Sequence, residues 1–178
     1  MQLIALLRGV TPVGKNKIPK MSYLVEILEE AGFQQVRTYI QSGNIILETE
    51  LSVEETRAKI HQTIKEKIGA DLSIIIKEKV DFKAAIKEKP FDDSFDYSRI
   101  HLVFTNDEIP QDRLNVVMNT DFFNEIFRKG NHCLYMYLPR DASKKKLNTN
   151  FLEKQLNITA TMRKINVVQH LYDIADKK

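Results

Sequence analysis

Apolar residues fall along this chain in two rhythms. Residues 2–7 form an apolar run too short for a helix, and after a polar loop Met21, Leu24 and Leu28 recur at helical spacing until Gly32 stops them. That pattern predicts strand, loop, helix. Two further runs, 36–41 and 45–49, flank Ser42-Gly43-Asn44, and glycine with asparagine tolerates the positive backbone angles a tight hairpin needs. A helix is predicted over 53–68, with Ile60, Ile64 and Ile68 as its buried stripe and Ser52 and Glu55 at capping-box spacing. The isoleucine-rich segment 73–77 closes the unit as a strand. The order is βαββαβ, the ferredoxin-like arrangement.

A connecting helix near 82–87 and an acidic loop over 91–98 lead into the second half. There 100–105 reads as a strand and 110–118 as a short helix with Pro110 in its first turn. Strands over 122–128 and 133–138 flank Lys129-Gly130-Asn131 as a second hairpin. Residues 144–156 read as a helix through Leu147 and Phe151, and 163–175 through Val167, Leu171 and Ile174. The chain thus resembles itself as β-α-β-turn-β. The expected fold is α+β, two ferredoxin-like halves whose antiparallel sheets carry helices on one face. The second half departs from the pattern by ending in helix where a fourth strand is expected, unless 158–161 supplies a short one. The expected organisation is a subdomain over 1–79, a connecting segment over 80–98 and a second subdomain over 99–178.

Composition agrees with a globular reading. The chain has 178 residues, 43% hydrophobic and 29% charged, and a chain of this length buries about 70% of its unfolded surface without staples. Cys133 is the only cysteine, which excludes an internal disulfide, reads as strand packing and fits a reducing, cytoplasmic setting. The apolar start is too short for a signal-peptide core and has no basic region before it. No stretch approaches the length of a membrane span, so the chain is expected to stay in the cytoplasm. The net charge of +3 hides an asymmetry. Residues 1–25 hold four basic side chains and no acid, 26–127 hold 12 basic and 20 acidic, and 128–164 hold nine basic and two acidic. Separation of this kind creates anion-attracting faces on a nearly neutral protein.

Polar groups gather in two segments: the run Arg8, Gly9, Pro12, Gly14, Lys15, Asn16, Lys17, and the turn Gln41-Ser42-Gly43-Asn44. In a βαββαβ unit the loop after strand one and the hairpin between strands two and three lie at the same end of the sheet, and strands one and three are neighbours. Arg8 is therefore expected near Asn44. Glycine-rich backbone, N–H donors and cationic side chains together suit a phosphate or carboxylate. The candidate ligand-binding residues are Arg8, Gly14, Lys15, Lys17, Ser42 and Asn44, with Arg8 and Lys15 or Lys17 clamping the charge and Ser42 and Asn44 orienting it. The structural alternative is a shaped loop, a good hairpin and solvated lysines. The run lacks the Gly-Lys-Ser/Thr ending of a phosphate-binding loop and the glycine spacing of a dinucleotide site, so no cofactor or catalytic residue is assigned. His61, His101, His132 and His170 occur singly, without partners at metal-ligand spacing. Asp92, Asp93 and Asp96 read as a solvated acidic loop, since no calcium-loop pattern surrounds them.

Nucleic-acid or acidic-partner binding is the rival class. RNA-binding sheets of this topology stack bases on aromatics of the two central strands, and 2–7 and 45–49 contain none. Electrostatic contact remains, through Lys144, Lys145, Lys146, Arg163 and Lys164, with Arg128 and Lys129, along a helical face. A third reading is a structural or oligomeric protein without a ligand.

Leu6-Leu7-Arg8-Gly9-Val10, Val13-Gly14-Lys15-Asn16-Lys17 and Thr38-Tyr39-Ile40-Gln41-Ser42-Gly43-Asn44 resemble the signature of a bacterial family named Domain of Unknown Function 1697. Weaker marks continue through Pro90-Phe91, Ser143-Lys144 with Leu147, and Thr161 with Arg163 and Asn166. The resemblance implies an α+β fold and no established activity. The chain departs from it at Lys164 and Ile165, where an Asn and an aromatic are expected, and at Thr11-Pro12, where Asn-Val is common.

Overall fold

Strand β1 (Gln2–Arg8) is covered on both faces: Leu3, Ile4, Ala5, Leu6 and Leu7 are all buried in the computed structural model, which describes residues 1–177. Double coverage is why it reads as a continuous apolar run rather than an alternation. Helix α1 (Met21–Glu30) buries Leu24, Ile27 and Leu28 and gives way to Gly32. Strands β2 (Gln34–Tyr39) and β3 (Asn44–Glu48) form the expected hairpin. In helix α2 (Val53–Lys67) the capping box is present: Glu55 N–H donates to Ser52 Oγ at 3.1 Å, and Ser52 N–H donates to the Glu55 carboxylate at 3.2 Å. Strand β4 (Ser73–Lys77) completes a four-stranded antiparallel sheet ordered β2-β3-β1-β4. Leu3, Ala5 and Leu7 face the helices, in one core with Leu24, Leu28, Ile60 and Ile64.

The second sheet repeats that order. After helix α3 (Lys79–Lys87) and a short 3-10 turn come β5 (Ile100–Thr105), α4 (Gln111–Met118), β6 (Ile126–Lys129), β7 (Leu134–Tyr137), α5 (Thr149–Leu156), β8 (Ala160–Lys164) and α6 (Ile165–Asp176). Strands β6-β7-β5-β8 form the sheet, all antiparallel. Among the described residues the fold is therefore α+β, with two four-stranded sheets of ferredoxin-like order and six α-helices. No helix among them is long and apolar enough to cross a membrane.

Three expectations for the second half are corrected. A full fourth strand exists: residues 160–164 pair with β5 from His101↔Lys164 to Thr105↔Ala160, so Arg163 is a strand residue and α6 starts two positions later. Strand β6 starts at Ile126, because the chain turns at Phe123, where φ is +62°. Helix α5 starts at Thr149 rather than 144. Asn148 caps it, accepting from Phe151 N–H at 2.8 Å, while the amides of Lys146 and Leu147 are taken by the buried Glu125 carboxylate.

The chain divides into two units, Met1–Lys79 with the end of the chain from Ile174, and Val80–Asp173. Within the first, the last turn of α6 is tied by side chains. Arg37 Nη1 donates to the carbonyls of Ile174 (2.8 Å) and Lys177 (3.3 Å), Gln2 Nε2 donates to the Ala175 carbonyl (3.0 Å), and Lys79 Nζ donates to Asp176 (2.9 Å). Helix-end carbonyls lack intrahelical partners and carry partial negative charge, which cationic and amide donors satisfy.

Candidate functional site

The loop after β1 owes its shape to two glycines and its rigidity to its own hydrogen bonds. Gly9 and Gly14 take φ of +103° and +89°, conformations costly for side-chain-bearing residues. Thr11 N–H donates to the Asn16 carbonyl at 3.1 Å, Thr11 Oγ1 donates to the Val13 carbonyl at 2.8 Å, and Lys17 N–H donates to the Gly14 carbonyl at 3.3 Å. Two anchors fix the closed loop to the body of the unit. Ile18 is buried in the core, and Asn16 Oδ1 accepts the backbone N–H of Asp71 at 3.2 Å.

The β2–β3 turn comes to the same end of the sheet, as the strand order requires. Gly43 has φ +84°, and a Cβ there would stand 2.8 Å from Leu7 Cβ, so only glycine lets the turn lie against β1. Leu7 N–H donates to the Gly43 carbonyl at 2.9 Å, and Gln41 Nε2 reaches across to the Ile18 carbonyl at 3.1 Å. The two segments are thus directly bonded to one another. Ile40 holds φ +52° and is exposed, an uncommon state for a β-branched residue.

Between them lies a cleft of about 400 Å³ lined by Val10, Thr11, Pro12, Lys17, Ile18, Gln41 and Ser42. Of the six residues expected from sequence, Lys17 and Ser42 line it. Gly14 and Lys15 are exposed on the same loop outside the lining. Arg8 is half-buried at the end of β1, opposite Ser73, also outside the lining. Asn44 is fully buried. Its Nδ2 donates to the Tyr39 carbonyl at 2.9 Å and to Ser42 Oγ at 3.1 Å, so it shapes the turn and orients the Ser42 hydroxyl. Val10, Thr11, Pro12, Ile18 and Gln41 complete the lining, and none of them is among those six. Pro12 and Gln41 belong to the polar run and the turn themselves, whereas nothing in the sequence marks a loop valine or isoleucine as a wall. Lys15, Lys17 and Lys20 form no ion pair among the described residues.

Elsewhere the titratable groups serve the fold. His101 is buried, with Nδ1 3.0 Å from the Arg99 carbonyl, and desolvation lowers its pKa to about 4. His61 Nδ1 sits 2.8 Å from the Leu72 carbonyl, with Nε2 3.5 Å from Asp71. His132 lies 3.5 Å from both Asp81 and Glu88. The acidic loop uses Asp92 and Asp96 as local caps: each accepts from the backbone and hydroxyl of the serine two residues on, which lowers both carboxyl pKa values. Among the described residues no three His, Cys, Asp or Glu side chains gather as a metal site. The basic C-terminal residues do not share a helical face. Lys144, Lys145 and Lys146 are exposed on the segment before α5, and Lys164 is exposed at the end of β8. Arg163 is buried, with Nη1 donating to Thr161 Oγ1 at 2.7 Å and to the Met162 carbonyl at 2.8 Å, which removes it from any surface contact.

The fold has a solved counterpart. The structure of a conserved bacterial protein from Streptococcus pneumoniae superposes with a TM-score of 0.73 at 20% identity, covering 99% of this chain and 98% of that one. At that identity the likeness concerns the fold alone. No curated protein matches the chain. The glycine-bearing loop and the Ser42-Gly43-Asn44 turn both fall inside residues 1–135, the span matched by the model of a family described as protein of unknown function (DUF1697), and to that family the chain belongs.

Proposed function

We propose that the first unit binds an anionic small molecule, bearing phosphate or carboxylate, in the cleft between the loop after β1 and the β2–β3 turn. Lys17 neutralises the charge, with Lys15 adding positive potential from the rim, and Ser42, oriented by Asn44, contributes a hydrogen bond. Arg8 and Gly14 act on loop shape and local field rather than by contact. Val10, Pro12 and Ile18 on the wall suit an apolar portion of the ligand, which favours a small organic acid or phosphorylated metabolite over bare phosphate. The observation that carries this reading is the bonded pair of segments, Gln41 to Ile18, with an ion-unpaired lysine and a hydroxyl on one cleft of about 400 Å³, a size within the usual range for small-molecule sites. The lone buried cysteine supports a reducing, cytoplasmic setting for this binding.

A thermal-shift screen of phosphorylated metabolites, nucleotides and short-chain carboxylates tests it. A ligand at about 100 times its dissociation constant stabilises by roughly 2.7 kcal/mol, a shift of several degrees for a chain of this size. Lys17→Ala is expected to lose that shift while melting normally without ligand. If no compound moves the wild type, or if Lys17→Ala responds to a hit as the wild type does, the reading fails.

A further inference from the structure

A second surface, on the Val80–Asp173 unit, has a different chemistry. Two irregular segments, the one between α4 and β6 and the one between β7 and α5, are stitched together. Asn124 Oδ1 accepts from Ser143 N–H at 3.1 Å and its Nδ2 donates to the Asp141 carbonyl at 3.4 Å, while Glu125 accepts the N–H groups of Lys146 and Leu147 at 2.8 and 2.9 Å. The bonds pin the segment that carries Lys144, Lys145 and Lys146, all three exposed, and bring Lys144 to Phe123. Lys144 Nζ lies 5.1 Å from the Phe123 ring centroid.

Phe123 is what the fold itself does not ask for. Its φ of +62° is in the left-handed region, where glycine or asparagine sits at least cost. Asn157 does that duty at the end of α5, with φ +56°. The core is served by the preceding residue: Phe122 is buried, its ring 5.6 Å from Phe151 and 6.5 Å from Phe127. Phe123 instead is 53% exposed. Its strained backbone is secured by Asp121, whose carboxylate accepts the Phe123 N–H at 2.8 Å. Backbone strain kept to hold an aromatic ring in solvent points to a use for the ring. None of the three lysines is ion-paired among the described residues. The nearby acids are Asp121, engaged by the Phe123 amide, Glu125, buried and engaged by the amides of Lys146 and Leu147, and Asp141, while residues 128–164 as a whole carry nine basic side chains against two acidic.

We infer that Phe123 with Lys144, Lys145 and Lys146 forms a contact site for single-stranded nucleic acid, the ring stacking on a base and the lysines neutralising the neighbouring phosphates. An acidic protein segment would be drawn by the lysines alone. The exposed ring beside them is the feature that fits a base. Single strands meet the need because their bases are unstacked and open to an aromatic face. The site lies on a different unit from the cleft, so its failure and the failure of the small-molecule reading are separate outcomes.

The test is fluorescence anisotropy of a labelled single-stranded oligothymidylate with the full chain, over a salt series, against a duplex of matched length. Phe123→Asn keeps the left-handed backbone and removes only the ring. It is expected to weaken single-strand binding roughly tenfold or more while leaving the melting temperature equal or higher. Lys144, Lys145 and Lys146 changed together to Ala are expected to flatten the salt dependence, lowering the slope of log affinity against log salt by about 2. Lys17→Ala is expected to bind the oligonucleotide as wild type does. Equal binding by Phe123→Asn and wild type, or a duplex bound as tightly as the single strand, overturns the inference. So does polyglutamate displacing the oligonucleotide on an equal-charge basis with no dependence on Phe123, which would assign the surface to an acidic protein partner.

Discussion

Replacing Arg37 by methionine should loosen the end of the chain while sparing the rest of the first unit. Methionine keeps an apolar stem of similar reach and removes the guanidinium, so the packing of the long side chain is largely retained. The guanidinium makes one short bond, 2.8 Å to the Ile174 carbonyl, and one long one, 3.3 Å to Lys177. A hydrogen bond to a charged group contributes about 1.5–3 kcal/mol, and a cation at a helix C-terminus adds about 0.3–1 kcal/mol; the long bond adds little. Against these stands Arg37 Nε, buried with no hydrogen-bond partner. Leaving such a donor unsatisfied costs about 1–3 kcal/mol, and the methionine variant is relieved of it. The midpoints of these ranges leave a net loss of about 1 kcal/mol, felt where the bonds end. Amide exchange measured residue by residue under native conditions reads that directly, because local opening has its own free energy. Exchange over Ile174–Asp176 should quicken roughly fivefold, given that about 1.4 kcal/mol is a factor of ten, with β1 and β3 amides unchanged. Arg37→Lys retains the charge, drops the orphaned Nε and should lose less than about 1 kcal/mol. If exchange over the last turn of α6 is the same in Arg37→Met as in wild type, the guanidinium is not what holds it.

Two further outcomes follow from single residues. Gly43→Ala places a Cβ 2.8 Å from Leu7 Cβ at φ +84°, so it should cost at least about 2 kcal/mol through overpacking and backbone strain; an unchanged urea midpoint would contradict the geometry. His101 has a pKa of about 4 folded against 6.5 as its ordinary value, so as pH falls the unfolded chain takes up the proton first. The stability it contributes is fully present above about pH 6.5 and is lost at up to about 1.4 kcal/mol per pH unit until about pH 4. Urea unfolding of wild type and His101→Gln between about pH 7 and 5 should show a slope in the first and a flatter line in the second, and a flat wild-type profile would refute the burial argument.

Local signals carried the first half of the fold. The turn at Ser42-Gly43-Asn44 and the Ser52–Glu55 box are short-range devices whose physics is complete within a few residues, and the structure has both. Errors in the second half come from contacts that cross the sequence. Lys144 to Leu147 have good helix propensity, but a carboxylate some twenty residues upstream takes two of their amides, and a weak local preference yields to that tertiary bond. Strand β8 runs into α6 with no glycine or proline between Lys164 and Ile165, so no punctuation separates a strand from a helix there. Arg163 looked like a phosphate contact because charge is visible in a sequence and burial is not. In the cleft the same division holds: Lys17 and Ser42 announce themselves by chemistry, while Val10 and Ile18 acquire a role only when the loop folds back on the core.

The Asn16–Asp71 bond has a consequence for how the cleft would be used. A glycine-bearing loop invites the picture of a lid that closes on its ligand. Here the loop is held at its middle by Asn16 and near its end by Ile18, with Gln41 joined to that same residue from the other wall. The cleft is a mould rather than a flap. Ordering backbone costs about 1–2 kcal/mol per residue, so a loop that left even two residues to be ordered by its guest would forfeit on the order of a hundredfold in affinity. A mould that starts ordered would give up nothing of that kind, but it also could not adapt, and the range of molecules it would accept would be set by the fixed distance between its two walls.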